Sequence, residues 1–230
     1  MSRRIGEDFA AFSGFLKKYN LKSFSSEEKQ IEIYKAMHKK LYGLLIFVAE
    51  FKLQKVSVSS EPFLTETTSD LLLSLFCTIQ GMYKPAKLQL RCSIENLLKA
   101  LIIISDPHIV EEKSVYEIFN AAKNDRHFST QFGTKGIVDI QNDYATLCRT
   151  VHGDPTVMHP ISALQFLPQY EEILLKELSV LYIRIIEGML GVLYLNYPVV
   201  IDMMHPQNHE DFLACMAKST KKEIIKELFG

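Results

Sequence analysis

Glycine and proline are scarce, with 10 Gly and 8 Pro in 230 residues, too few for the turn-rich connections of a β protein. No stretch keeps the strict alternation of a half-buried strand, and most apolar residues recur at helical spacing, so the fold class is all-α. Charge of one sign is also lacking. Lys+Arg 26 against Asp+Glu 27 gives a formal net charge of -1, which excludes a global field for nucleic acid or an anionic membrane and makes any anion site local. Cysteine is sparse and scattered (Cys77, Cys92, Cys148, Cys215) with no CxxC pair. Reduced thiols are therefore expected rather than disulfides or a zinc site, and with no signal peptide ahead of them the chain is read as cytoplasmic. The longest uncharged run, GMLGVLYLNYPVVI at 188–201, falls short of the roughly 20 residues of a membrane span and contains a proline. It reads as a buried helix, and no membrane partner is expected.

With 47% hydrophobic and 10% aromatic residues, the chain can fill a full core without staples. No internal repeat or linker divides it, so a single helical domain is expected over 1–230, with a core bundle at about 25–205 and a C-terminal helix at 206–230. Periodicity predicts about six major helices. A long one runs from about 25 to 55, capped by Ser25 or Ser26. DLLLSLFCTIQGMY and KPAKLQLRCSIENLLKALIIIS follow as a tight antiparallel hairpin, the second with Pro85 in its first turn. A shorter helix covers about 109–124, DRHFSTQFGTKG is read as a loop, and the next helix runs from about 137 to 151, ended by Gly153 and Pro155. The last long helix begins near Pro168, and a polar helix follows MMHPQNHED.

The helix at 137–151 carries DYATLCRTVHGDP. At about 100° per residue, Ile137, Ile140, Tyr144, Leu147, Cys148 and Val151 share one face, which is core. Arg149 and His152 sit on its flank beside Gln141 and Ala145, three apart and therefore neighbours. That flank suits a cleft-lining pair, and it equally suits a pair that interacts with the helix C-terminal dipole. On the earlier helix Arg91 and Glu95 lie at i,i+4 among Leu88, Leu98 and Ile102, while Gln89, Asn96 and Lys99 mark the wetter side. They read either as a half-buried salt bridge that fixes register or as the wall against which His152 is held. Contact between the helices near 86–104 and 137–151 is expected through Arg91, Glu95 and His152.

LQLRCSIENLLKALI and YATLCRTVHGDP together resemble the pattern of bacterial HEPN-like helical domains, in a branch with an Arg and a Glu on one core helix and Tyr-x3-small-x3-His ending a later one. The similarity covers about 34–197. It implies a helical bundle, commonly dimeric, and an activity found in many members: metal-independent ribonuclease of toxin–antitoxin, abortive-infection and CRISPR systems, built on an Arg-x4-6-His motif. This chain departs from that motif, since only Thr150 and Val151 separate Arg149 from His152.

Under the resemblance His152 transfers protons, Arg149 or Arg91 holds the phosphate and Glu95 orients the imidazole. Tyr144, a core residue by phase, brings its hydroxyl to the cleft edge. His159 in MHPIS is a second cleft histidine if the Gly-Asp-Pro turn folds back, and an exposed loop residue otherwise. Cys148 reads as a buried free cysteine. His205 and His209 have metal-ligand atoms nearby but sit in what reads as a solvated loop without HExxH spacing. No glycine-rich phosphate loop or dinucleotide fingerprint is present, and neither metal nor other cofactor is expected. Two functions from different classes remain. One is a HEPN-like ribonuclease or toxin effector acting on RNA, a homodimer with an antitoxin or other protein partner; the other is a non-catalytic helical protein-interaction module. The homodimer is expected because the last long helix is apolar on more of its circumference than one bundle face requires.

Overall fold

The computed structural model describes residues 3–18, 28–151 and 170–229. They are all-helical, with no strand among them. Among the described residues there are ten α-helices rather than about six: α1 (Arg3–Lys18), α2 (Glu28–Leu53), α3 (Glu61–Ile79), α4 (Tyr83–Ile102), α5 (Val115–Asn124), α6 (Gln131–Val151), α7 (Glu172–Asn196), α8 (Pro198–Asp202), α9 (Pro206–Cys215) and α10 (Lys218–Phe229). Two 3-10 turns, Pro107–Val110 and Arg126–Phe128, join the middle helices.

The excess over the expected number is α1, α8 and α9, and elsewhere caps that periodicity does not register move the expected boundaries. The predicted helix at 109–124 is divided because Asp106 accepts from the amide of His108 and opens a 3-10 turn, while Ser114 accepts from the amide of Glu117 and opens α5. DRHFSTQFGTKG is mostly helix. The Thr130 hydroxyl accepts from the amide of Gly133 at 3.0 Å, and the Glu227 carboxylate accepts from the amide of Phe132 at 3.1 Å. These two caps start α6 six residues ahead of 137 despite its two glycines. MMHPQNHED is likewise no loop: Pro206 stands in the first turn of α9, and His205 Nδ1 accepts from the amide of Gln207.

α3 and α4 form the expected hairpin. Gly81, at φ 70°, makes the turn in the left-handed region, and Ser74 donates to the Ala86 carbonyl across the buried seam at 2.8 Å. α7 lies at the centre, against α2, α4, α6 and α10. It is long and apolar enough to cross a membrane, but 72% of its most apolar window is buried inside the protein. Its apolar circumference, the ground for expecting a homodimer, is thus largely covered by the chain's own helices. Ile173 and Val180 are the large apolar side chains that α7 leaves exposed.

α2 is clamped from three sides. Lys40 pairs with Glu187 of α7 and donates to the Cys215 carbonyl at 2.6 Å, while the other Glu187 oxygen accepts from the amide of Ala217 at 2.7 Å. Glu50, 3% exposed, accepts from Asn208 of α9 and from Gln54. α1 docks through His38, whose Nε2 meets Asp8 at 2.7 Å and whose ring is packed by Phe9, Phe12 and Tyr42. Its Nδ1 is buried without a hydrogen-bond partner among the described residues.

Two outcomes follow. A Cβ on Gly43 would lie 2.7 Å from the Cβ of Cys215, and neither backbone can swing away. Gly43→Ala is expected to lower stability by about 1–3 kcal/mol, read as a fall in urea midpoint at unchanged slope. Burial lowers the His38 pKa, and the nearby Asp8 carboxylate, which favours the protonated ring, does not reverse it. Above about pH 6.5 the imidazole is neutral both folded and unfolded and its contribution is fully present. As pH falls through that value toward the lowered folded pKa, the unfolded chain takes up a proton that the folded chain resists, and stability is lost. The loss on acidification should be smaller in His38→Phe, measured by urea denaturation on either side of about pH 6.5.

Candidate functional site

α4 and α6 are joined where expected, by a three-residue cluster. Arg91 Nε donates to the Tyr144 hydroxyl at 2.5 Å and more weakly to Glu95 Oε1 at 3.1 Å, and the Tyr144 hydroxyl donates to the same carboxylate oxygen at 2.6 Å. Tyr144 is buried, while the Arg91 and Glu95 side chains are 20% and 26% exposed. Burial, and then the Glu95 carboxylate, raise the Tyr144 pKa, so the phenol stays a donor. Arg91 commits its Nε–H alone: the two outer nitrogens of its fork make no hydrogen bond among the described residues.

The tyrosine's phase placed it in the core, and there it packs, edge-to-face on Phe119 of α5 at 5.3 Å. Among the described residues its hydroxyl is the group that links Arg91 and Glu95 to α6. His152 and His159 lie outside the described residues, so the expected contact of His152 with this cluster falls there too.

Beside the cluster, between α5 and α6, is an open groove of about 560 Å³ lined by Val115, Tyr116, Phe119 and, from α6, Gln141, Tyr144, Ala145, Cys148 and Arg149. Gln141, Ala145 and Arg149 are the flank that helical phase set between core and solvent. Arg149 is exposed and Cys148 half-buried, with all four cysteines free thiols. Leu88, expected to wall in Arg91 and Glu95, is 41% exposed. Two residues of the wetter side are bonded instead: Asn96 donates to Asp70 of α3 at 2.8 Å, and Lys99 to the carbonyl of Glu112 at 2.7 Å. Burial raises the Asp70 pKa, and Glu66 and Glu95 add to the shift.

Sequence reasoning passed over two other polar contacts that brace the site. Asp143, buried beside Tyr144, receives both Nε–H and Nη2–H of Arg184 on α7, a fork-to-carboxylate pair. At the entry to α6, Asp125 accepts from Ser105, from the amide of His127 and from His127 Nδ1, the last at 2.5 Å. Those bonds lower the Asp125 pKa even though burial opposes it. The first has no local signal, since Asp143 and Arg184 are 41 residues apart; the second spans two residues, in a stretch that reads as loop. Among the described residues no group of three or more His, Cys, Asp and Glu side chains has the grouping of a metal site.

Tyr144→Phe keeps the ring and removes the hydroxyl that serves both Arg91 and Glu95. A stability loss of about 1–3 kcal/mol is expected, together with a coupling to Glu95→Gln that departs from additivity in a double-mutant cycle.

Compared with models of protein families, with curated proteins and with solved structures, the chain matches none, so its site is read from its own residues and their geometry.

Proposed function

We propose that the chain is a HEPN-like, metal-independent ribonuclease or toxin effector of a prokaryotic defence or toxin–antitoxin system, acting in the cytoplasm as a homodimer and working at the α5–α6 groove. One observation carries this reading. The two segments that bear the resemblance meet through Arg91, Tyr144 and Glu95, beside an open groove with Arg149 on its wall, and the outer nitrogens of Arg91, whose guanidinium lies over the Tyr144 ring, make no hydrogen bond among the described residues. Two permanent cations drawn from those segments suit a phosphodiester better than any neutral ligand.

In this reading a base takes the proton of a ribose 2′-hydroxyl, and the freed oxygen forms a bond to phosphorus. The bond from phosphorus to the 5′-oxygen breaks, and an acid returns a proton to that oxygen, leaving a cyclic phosphate and a 5′-hydroxyl. His152 is assigned the proton transfer. Arg149 and Arg91 offset the charge that builds on the non-bridging oxygens. Tyr144 and Glu95 are positioning residues that hold Arg91.

The second reading, a non-catalytic helical interaction module, is favoured by the way Arg91, Glu95 and Tyr144 already bond to one another, as a register-fixing cluster does. RNA cleavage in the presence of a chelator separates the two. Under the ribonuclease reading His152→Ala lowers the rate by at least about 100-fold with the melting temperature shifted by only a few degrees, and Arg149→Lys is also damaging because an ammonium lacks the two-pronged geometry. A wild-type protein inactive on RNA, or a His152→Ala variant that simply unfolds, leaves the interaction module as the account.

A further inference from the structure

The α5–α6 groove holds an arrangement that phosphate chemistry alone does not require. Tyr116 on its α5 wall is 74% exposed, although an aromatic ring is among the largest apolar surfaces a chain can bury. Arg149 on the α6 wall is also exposed and is the one formally charged side chain of the lining among the described residues. Neither makes a hydrogen bond or ion pair among the described residues. Beneath them the buried rings of Phe119 and Tyr144 meet edge-to-face, and the Tyr144 hydroxyl is turned to Glu95 and Arg91. A free aromatic face, an apolar floor and a single permanent cation match a flat, apolar-faced group that carries one negative charge.

We propose that this groove binds single-stranded RNA, with one base stacked on Tyr116 and an adjoining phosphate on the Arg149 guanidinium. The choice of RNA among planar anions rests on the ribonuclease reading; the stacking cleft rests on Tyr116 and Arg149. A single strand has a base face to offer at every nucleotide, and aromatic stacking accepts any base. A duplex keeps those faces inside its own stack. An open cleft also lets the strand enter and leave, which an enclosed pocket sized for a free nucleotide does not.

The test uses the full chain and a fluorescent 2′-O-methyl oligonucleotide, which cannot be cleaved because it lacks the attacking hydroxyl, with affinity read by anisotropy. Tyr116→Ala is expected to weaken binding at least about fivefold and Tyr116→Phe to stay within about twofold. Arg149→Gln should weaken binding and flatten the dependence of log affinity on log salt by about 0.7, the loss of one phosphate contact to a single strand. A duplex of the same sequence should compete poorly. The cleft is overturned if the wild type does not bind, if Tyr116→Ala binds as the wild type does, or if a nucleoside monophosphate binds as tightly as the oligonucleotide. Tyr116-dependent binding without cleavage of the matching unmodified RNA supports the cleft and removes the ribonuclease reading. Cleavage that is indifferent to Tyr116→Ala retains the ribonuclease and removes the cleft.

Discussion

A helical segment that is apolar on every side has to be surrounded, and the C-terminal half of α7 imposes that requirement on the rest of the bundle. All its residues from Met189 to Leu195 are buried, so no face of that half is left for solvent. Three of its polar side chains reach outer segments: Arg184 holds Asp143 of α6, Glu187 holds Lys40 of α2 and the amide of Ala217, and Asn196 donates to the His127 carbonyl. The hydrophobic requirement gathers the helices around α7, and directional bonds fix how far each slides along it.

The candidate site inherits its rigidity from this arrangement. Asp143 and Tyr144 are consecutive, so on a helix they point about 100° apart. One is held by α7 and the other by α4. A helix fixed from two directions can neither roll nor shift, and the flank left over, from Gln141 to Arg149, becomes one wall of a groove whose shape does not wait for a ligand. Ion pairs whose arginines still reach water, as Arg184 and Arg91 do, gain little net stability from pairing. What they supply here is orientation.

The all-α class and the α3–α4 hairpin were legible because they follow from helical periodicity in two adjoining segments. Arg91 and Glu95 were legible as a pair because i,i+4 spacing is local. Tyr144 was correctly phased to the core, but the role of its hydroxyl depends on a helix that starts far earlier in the chain. α1 left little trace, since its buried stripe of Ile5 and Phe9 is short and is completed by His38, about thirty residues on. The early start of α6 was hidden in the same way, because one of its caps is Glu227. Local signals report what a segment prefers, and these features are settled by segments it meets later.

That last cap has a consequence for the order in which the protein is made. Glu227 lies in α10, 95 residues after Phe132, and its carboxylate closes the first turn of the helix that forms the groove wall. Chains emerge from the ribosome amino end first. While a nascent chain still lacks α10, the opening turn of α6 has unmet amides, and Phe132 has lost the carboxylate that anchors it. The groove is therefore braced only once α10 has been made, and a product cut short of α10 would carry Arg91, Tyr144 and Arg149 on an unfinished scaffold.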